Sequence, residues 1–192
     1  MFTCAFVNGK GGSGKTTAAF GVAVALARHG KRVAVISADG QNTLLQALSK
    51  SGEEHIRPFG EIEDPHILIV DGPPRLDFTE RALHRALEQS DALILPCAPS
   101  WPDLWTTRDS IEHLRKIYPK KLYRLLINRS DGRTALAKQF RQLVKVEGLD
   151  VPILDTTLSD FAGYTNMLQF GWNVLDSEAR SQLKSLALEL YS

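Results

Sequence analysis

Gly9 and Gly14 bracket four residues and run straight into Lys15 and Thr16, and this segment, residues 8–17 (NGKGGSGKTT), constrains the chain more than any other. Glycines at these positions let the backbone curl into a concave nest whose N–H groups converge on one anion, because no Cβ blocks positive φ or close approach. The spacing is that of a phosphate-binding loop, G-x-x-x-x-G-K-[ST]. Gly9, Gly11, Gly12, Ser13 and Gly14 are the candidates for the cradle, and Thr17 continues it into the helix. Lys15 is the candidate for the β/γ-phosphates and Thr16 for a hydroxyl ligand to Mg²⁺. Residues 3–7 before the loop are an apolar run of strand length, and residues 17–29 after it carry an apolar helical pattern stopped by Gly30. A strand, a glycine loop and a helix in that order aim the positive end of the helix dipole at the same anion.

The remainder of the chain repeats the strand-then-helix order. Residues 33–36, 67–70, 92–95, 122–127 and 151–154 are short runs rich in Val, Ile and Leu with no polar alternation, as expected of strands buried on both faces. Helical patterns fall between them at 41–50, 78–89, 103–117, 134–147 and 160–170, and a last one spans 177–190. This alternation predicts an α/β fold with a mostly parallel sheet flanked by helices, binding its ligand at the carboxyl ends of the strands. Residues 51–65, with Glu53, Glu54, His55, Arg57, Glu61, Glu63 and Asp64, form a polar surface excursion too short to be a unit of its own. A length of 192 residues with 43% hydrophobic content suits one sizeable core, so residues 1–192 are expected to be a single domain.

Charge and cysteine usage exclude several classes. A formal net charge of +1 provides no global field toward nucleic acid or membrane, so any basic surface is local. Cys4 and Cys97 stand far apart without a C-x-x-C or a ligand set, which reads as buried thiols in a reducing compartment. No basic leader and no apolar run of membrane-spanning length is visible, and a soluble cytoplasmic protein is expected.

A second lysine, Lys10, lies inside the loop, and the segment Lys10-Gly11-Gly12-Ser13-Gly14-Lys15-Thr16 resembles the deviant phosphate-binding loop of the ParA/MinD family of ATPases. The resemblance implies ATP and Mg²⁺ as ligands. It also implies a homodimer on ATP binding, in which Lys10 reaches the phosphates of the partner's nucleotide. Further segments agree. Ser37-Ala38-Asp39-Gly40-Gln41 is similar to the family's first switch, D-x-D-P-Q, with Asp39 and Gln41 matching and Ser37 and Gly40 departing. By that match Asp39 orients the attacking water and stands near the metal; it also stands where a helix N-cap would. An apolar strand ending in Asp71, followed by Gly72-Pro73-Pro74, looks like the second metal-binding acid and the second switch.

Pro96-Cys97-Ala98-Pro99-Ser100, with Asp103 beyond it, is similar to the family's P-x-x-P-S segment near the dimer face. Trp101 and Trp105 there fit either a partner contact or the core. Asn128 and Arg129, before Asp131-Gly132-Arg133-Thr134, are placed by the resemblance beside the adenine, with residues 156–160 closing the other side; a capped turn is the other reading of Asn128. The final helix, capped by Asp176, carries acids as well as Arg180 and Lys184, so it is expected to dock on the domain, with no membrane partner.

Taken over the chain, the resemblance implies a small ParA-type ATPase without a helix-turn-helix domain. Such a protein closes an ATP dimer, binds non-specific DNA on the nucleoid and meets an adaptor protein that stimulates hydrolysis. Its cargo is a plasmid, a chromosome region or an assembly such as a carboxysome. The candidate DNA-binding residues are Arg108, Arg115, Lys116, Lys120 and Lys121 on one segment and Lys138, Arg141 and Lys145 on the next helix. The alternatives are a MinD-like spatial regulator, disfavoured by the mixed charge of the last helix, and a metabolic enzyme of dethiobiotin-synthetase type, which lacks the extra lysine. Iron–sulfur relatives need paired cluster cysteines, which this chain does not offer.

Overall fold

In the computed structural model, which describes residues 1–38, 42–73, 75, 76 and 81–191, the apolar runs become the strands of one parallel sheet. They are β1 (Phe2–Phe6), β2 (Val33–Ser37), β3 (Ile56–Pro58), β4 (Ile67–Asp71), β5 (Ala92–Cys97), β6 (Leu122–Ser130) and β7 (Ile153–Ser159), in the order β3-β2-β4-β1-β5-β6-β7. The lack of polar alternation follows from burial on both faces. Cys4, Phe6, Val33, Val35, Ile67 and Ile69 point into one core, and Ala5, Val7, Ala34, Leu68, Val70 and Leu93 point into the other. Helices α1 (Lys15–Ala27), α2 (Thr43–Ser51), α6 (Ala162–Phe170) and α7 (Ser177–Tyr191) close the first core. Helices α3 (Arg81–Gln89), α4 (Trp101–Ile117) and α5 (Ala135–Val146) close the second. Strand β1 sits at the centre, so the loop leaving it opens among the carboxyl ends of β4, β5 and β6, where parallel sheets place ligands.

Helix α1 is buried nearly all round: it packs on the sheet below and on α2, α6 and α7 above, which explains an Ala- and Val-rich sequence without a polar face. Helix α7 docks through Leu183, Leu186, Ala187 and Leu190, and Asp176 caps it by accepting the Ala179 N–H at 2.7 Å, as the sequence predicts. Helix α2 has Asn42 at its N-cap position. Asp39, Gly40, Gln41, Pro74 and the start of the 78–89 helix lie outside the described residues.

Two expectations need correction. The polar stretch 51–65 contains β3, whose residues pair in register with β2, Val33 with Ile56 and Val35 with Pro58. It is an edge strand of three residues with only Ile56 buried, too short for any alternation to register. The strand expected at 151–154 is β7, which begins at Ile153 and runs on to Ser159. Between Leu125 and Ile127 of β6, β7 advances from Ile153 to Thr157, so it is bulged there, and its polar groups are satisfied by side chains instead of a neighbouring strand. Glu189 accepts the N–H groups of Asp155 (2.6 Å) and Thr156 (2.9 Å), and Arg141 donates to the carbonyls of Leu154 and Asp155 at 2.8 Å.

Candidate nucleotide site

The loop at the end of β1 is braced from two sides. On one side Asn8, 1% exposed, donates its amide to the Pro96 carbonyl and to Thr107 Oγ1, both at 2.9 Å, and accepts the Lys10 N–H at 3.0 Å. The Gly9 N–H reaches Ser110 Oγ at 3.0 Å. Thr107 and Ser110 belong to the buried face of α4, so the first half of the loop is fixed to that helix. On the other side Asn128 at the end of β6 donates to the Ser13 carbonyl at 2.8 Å. Arg129, in a left-handed conformation with φ 53°, donates to the Gly12 carbonyl at 3.4 Å and pairs with Asp160 at 3.5 Å. Gly14 opens α1 with φ 91°, and a Cβ there would lie 2.1 Å from the Asn128 amide nitrogen, so no other residue fits between the loop and β6.

Inside this frame the Lys15 ammonium lies over the loop, donating to the carbonyls of Asn8 (3.1 Å) and Lys10 (3.2 Å). Burial lowers its pKa, and the Asp71 carboxylate works in the opposite direction. Asp71 ends β4 fully buried, in register with Phe6 on one side and Ser37 on the other. Gly72 follows, its N–H on the Phe6 carbonyl at 2.9 Å; a Cβ would sit 2.7 Å from that oxygen, which accounts for glycine at this position. The Ser13 hydroxyl is buried with no hydrogen-bond partner among the described residues, an orphaned donor in a nest of N–H groups that suits an anion. A carboxylate at Asp71 and a hydroxyl at Thr16 are hard oxygen donors of the kind Mg²⁺ takes.

Beside the loop lies a cleft of about 320 Å³ lined by Gly12, Gly14, Lys15, Thr16, Thr17, Gly72, Asn128, Arg129 and the segment Ser159, Asp160, Phe161, Tyr164 and Thr165. Gly9, Lys10 and Gly11 are not part of that lining. The structure thus brings the loop, Asp71, Asn128 and Arg129 together. Phe161, Tyr164 and Thr165, at the start of α6, are not singled out by the sequence, which gives only a helical pattern over 160–170.

The eight basic candidates separate into two groups. Arg108 faces Asp109 (3.8 Å) and Glu147 (3.7 Å), and Arg115 donates to the Asp150 carbonyl and lies 5.8 Å from the Tyr123 ring centre. Lys121 donates to the Ser90 carbonyl, and Arg141 is engaged on β7. Lys116 on α4, Lys120 in the turn after it, and Lys138 and Lys145 on α5 are exposed. Trp101 and Trp105 are 40% and 49% exposed, with ring centres 6.1 Å apart, so neither is core. The cysteines are buried free thiols, each pushed up to about 12 chiefly by burial, in agreement with the sequence.

Residues 4–167 match the model of the CobQ/CobB/MinD/ParA nucleotide-binding domain. The chain belongs to this family. It is an ATPase of the ParA type. Its relatives include the maintenance of carboxysome distribution protein A of Halothiobacillus neapolitanus, 29% identical over 94% of this chain and 90% of that protein. The fold matches Cyanothece McdA, without ligand (TM-score 0.80, 14% identity, 99% of both chains) and in a complex with ATP (TM-score 0.77, 14% identity, 99% of this chain and 96% of that one). It also matches MinD of Pyrococcus horikoshii with Mg-ADP, with a TM-score of 0.75, 19% identity and coverage of 97% of this chain and 94% of that one. Among the described residues no helix of this ATPase is long and apolar enough to cross a membrane.

Proposed function

We propose that residues 1–192 act as one ATPase domain that closes into a homodimer on ATP and distributes carboxysomes, or a similar cargo, over non-specific DNA. An adaptor protein would stimulate hydrolysis and reopen the dimer, and the protein would be cytoplasmic and nucleoid-associated. The observation that carries this reading is the presence of two lysines in one loop with separate settings. Lys15 is buried over its own nest, whereas the side chain of Lys10 is one-third exposed, at 34%, and paired with Asp103 of α4. The kinship with a carboxysome distribution protein supports the cargo.

In this reading the N–H groups of Gly11 to Thr17 and the Ser13 hydroxyl hold the phosphates. Lys15 exchanges its two carbonyl acceptors for phosphate oxygens, a charge-assisted bond that a lysine with a lowered pKa gains most from. Thr16 and Asp71, with Asp39, would hold Mg²⁺, which when bound neutralises charge on the phosphates. Asp39 orients the attacking water. Asn128 and Arg129 hold the loop against β6 and flank the base, with Phe161 offering a ring beside it.

Nucleotide titration by calorimetry, with the dimer followed by light scattering, tests the assignment of the two lysines. Lys15→Ala is expected to abolish nucleotide binding. Lys10→Ala is expected to keep it within about threefold, a change of less than 1 kcal/mol, and to lose the dimer. Equal loss of affinity in both variants would show that Lys10 serves its own subunit's nest.

A further inference from the structure

Lys10, the residue that the proposed dimer sends to the partner, is already engaged in the free chain: its ammonium is paired with the Asp103 carboxylate. The two partners differ in what they need from this pair. Asp103 is the buried one, with its side chain 11% exposed against 34% for Lys10. It lies in the first turn of α4, where Ser100 accepts its N–H at 3.2 Å and returns the Ser100 hydroxyl to the same carboxylate oxygen that Lys10 uses. The helix N-terminus adds its own positive potential. The carboxylate therefore keeps a donor and a favourable field when Lys10 leaves.

Lys10, by contrast, has a fixed backbone and a partly exposed side chain held at its end by Asp103. Its N–H is held by Asn8, and Asn8 is tied to Pro96 and Thr107, so departure of the ammonium needs only side-chain rotation. A charge pair with one rigid, independently satisfied member and one mobile member is a two-position device.

We propose that Asp103 is a positioning residue that parks Lys10 in cis on the monomer, so that the partner's phosphates must displace this carboxylate before the dimer closes. The proposal rests on the reading of Lys10 as a lysine that acts across the interface. Only monomers with Lys10 released are competent to pair, and the parked fraction raises the nucleotide concentration at which dimers form. The Lys15 nest, held by other contacts, does not share that restraint.

The test measures two quantities on the full chain with Mg²⁺ and a non-hydrolysable ATP analogue. One is the nucleotide dissociation constant of the monomer, read at protein concentrations too dilute to pair. The other is the nucleotide concentration that gives half-maximal dimer. For Asp103→Asn, which retains an acceptor for Ser100, the first is expected to stay within about twofold. The second is expected to fall about three- to tenfold, the reciprocal of a released fraction of about one third to one tenth. Asp103→Thr, neutral and still hydrogen-bonding, is expected to shift the same way and serves if the amide variant does not fold. An unchanged or raised half-point overturns the proposal, because Asp103 then orients Lys10 for the partner or leaves it alone. Equal shifts in both quantities also overturn it, because Asp103 then acts on the nest. Failure of the underlying reading shows separately, as a Lys10→Ala variant that pairs like wild type.

Discussion

Gly14 joins two demands that no side chain meets together. Its φ of 91° belongs to the left-handed region, and the Asn128 amide occupies the space a Cβ would need. A Gly14→Ala variant must therefore carry backbone strain, about 1–3 kcal/mol, and push Asn128 off the Ser13 carbonyl. The expected outcome is a folded protein with nucleotide affinity reduced at least about tenfold, equivalent to about 1.4 kcal/mol, measured by calorimetry. Affinity equal to wild type would mean that the loop relaxes freely and that the brace from β6 has no role in shaping the nest.

The glycines and lysines of this loop were legible because the chemistry of phosphate binding dictates both residue type and spacing. The contacts that hold the loop were not. Asn8 reaches Thr107 and Lys10 reaches Asp103 across 99 and 93 residues of sequence, and nothing in the local pattern links them. The nearest signal was the Ser100-x-x-Asp103 spacing, which announces a helix start and says nothing of what else the carboxylate holds.

Among the elements, β7 shows how an irregular edge is made tolerable. Its bulged residues turn backbone groups toward α5 and α7, and one carboxylate and one guanidinium satisfy four of them. Burial alone would raise the Glu189 pKa, but the amides of Thr156 and Asp155, the Thr156 side chain and Arg124 outweigh it and hold the group below its usual range. A depressed carboxylate contributes stability that is present above its unfolded pKa, about 4.3, and lost as pH falls through the folded value. Glu189→Ala is expected to lower Tm by about 3–6 °C at pH 7, the equivalent of about 1–2 kcal/mol for these partly exposed bonds. The deficit relative to wild type is expected to shrink as the pH is brought below 4. A deficit independent of pH would assign the loss to packing on α7 instead of to the charge.

The same element marks the limit of periodicity. Strands buried on both faces, such as β4 and β5, announce themselves as unbroken apolar runs. In β7 the sequence Asp155-Thr156-Thr157 reads as loop, because its polar atoms are answered by side chains from helices 13 to 34 residues away. β3 is lost for a different reason: three residues at an edge hold a single buried side chain.

At the scale of the whole molecule, a net charge of +1 gives one chain little attraction for DNA, and the structure narrows which cations are available to change that. Arg108, Arg115, Lys121 and Arg141 are engaged within the chain, which leaves Lys116, Lys120, Lys138 and Lys145 exposed on α4, α5 and the turn between α4 and β6. Pairing two chains doubles this set on one particle, so ATP-dependent closure is expected to convert weak contact into measurable binding. If about six phosphates are neutralised, log affinity falls against log salt with a slope near −5. Replacing Lys116 and Lys145 by Gln in both chains of the dimer removes up to four of those contacts and is expected to flatten the slope toward about −2, without altering preference among duplexes. Arg141→Gln is expected to behave differently, lowering Tm through β7 while leaving the slope within about one contact, near −0.9, of wild type. Fluorescence polarisation on two unrelated duplexes, with ATP, with ADP and without nucleotide, checks all of this. Equal affinity in the three nucleotide states, or a strong preference for one duplex, would remove the mechanism in which the ATP dimer rides on non-specific DNA.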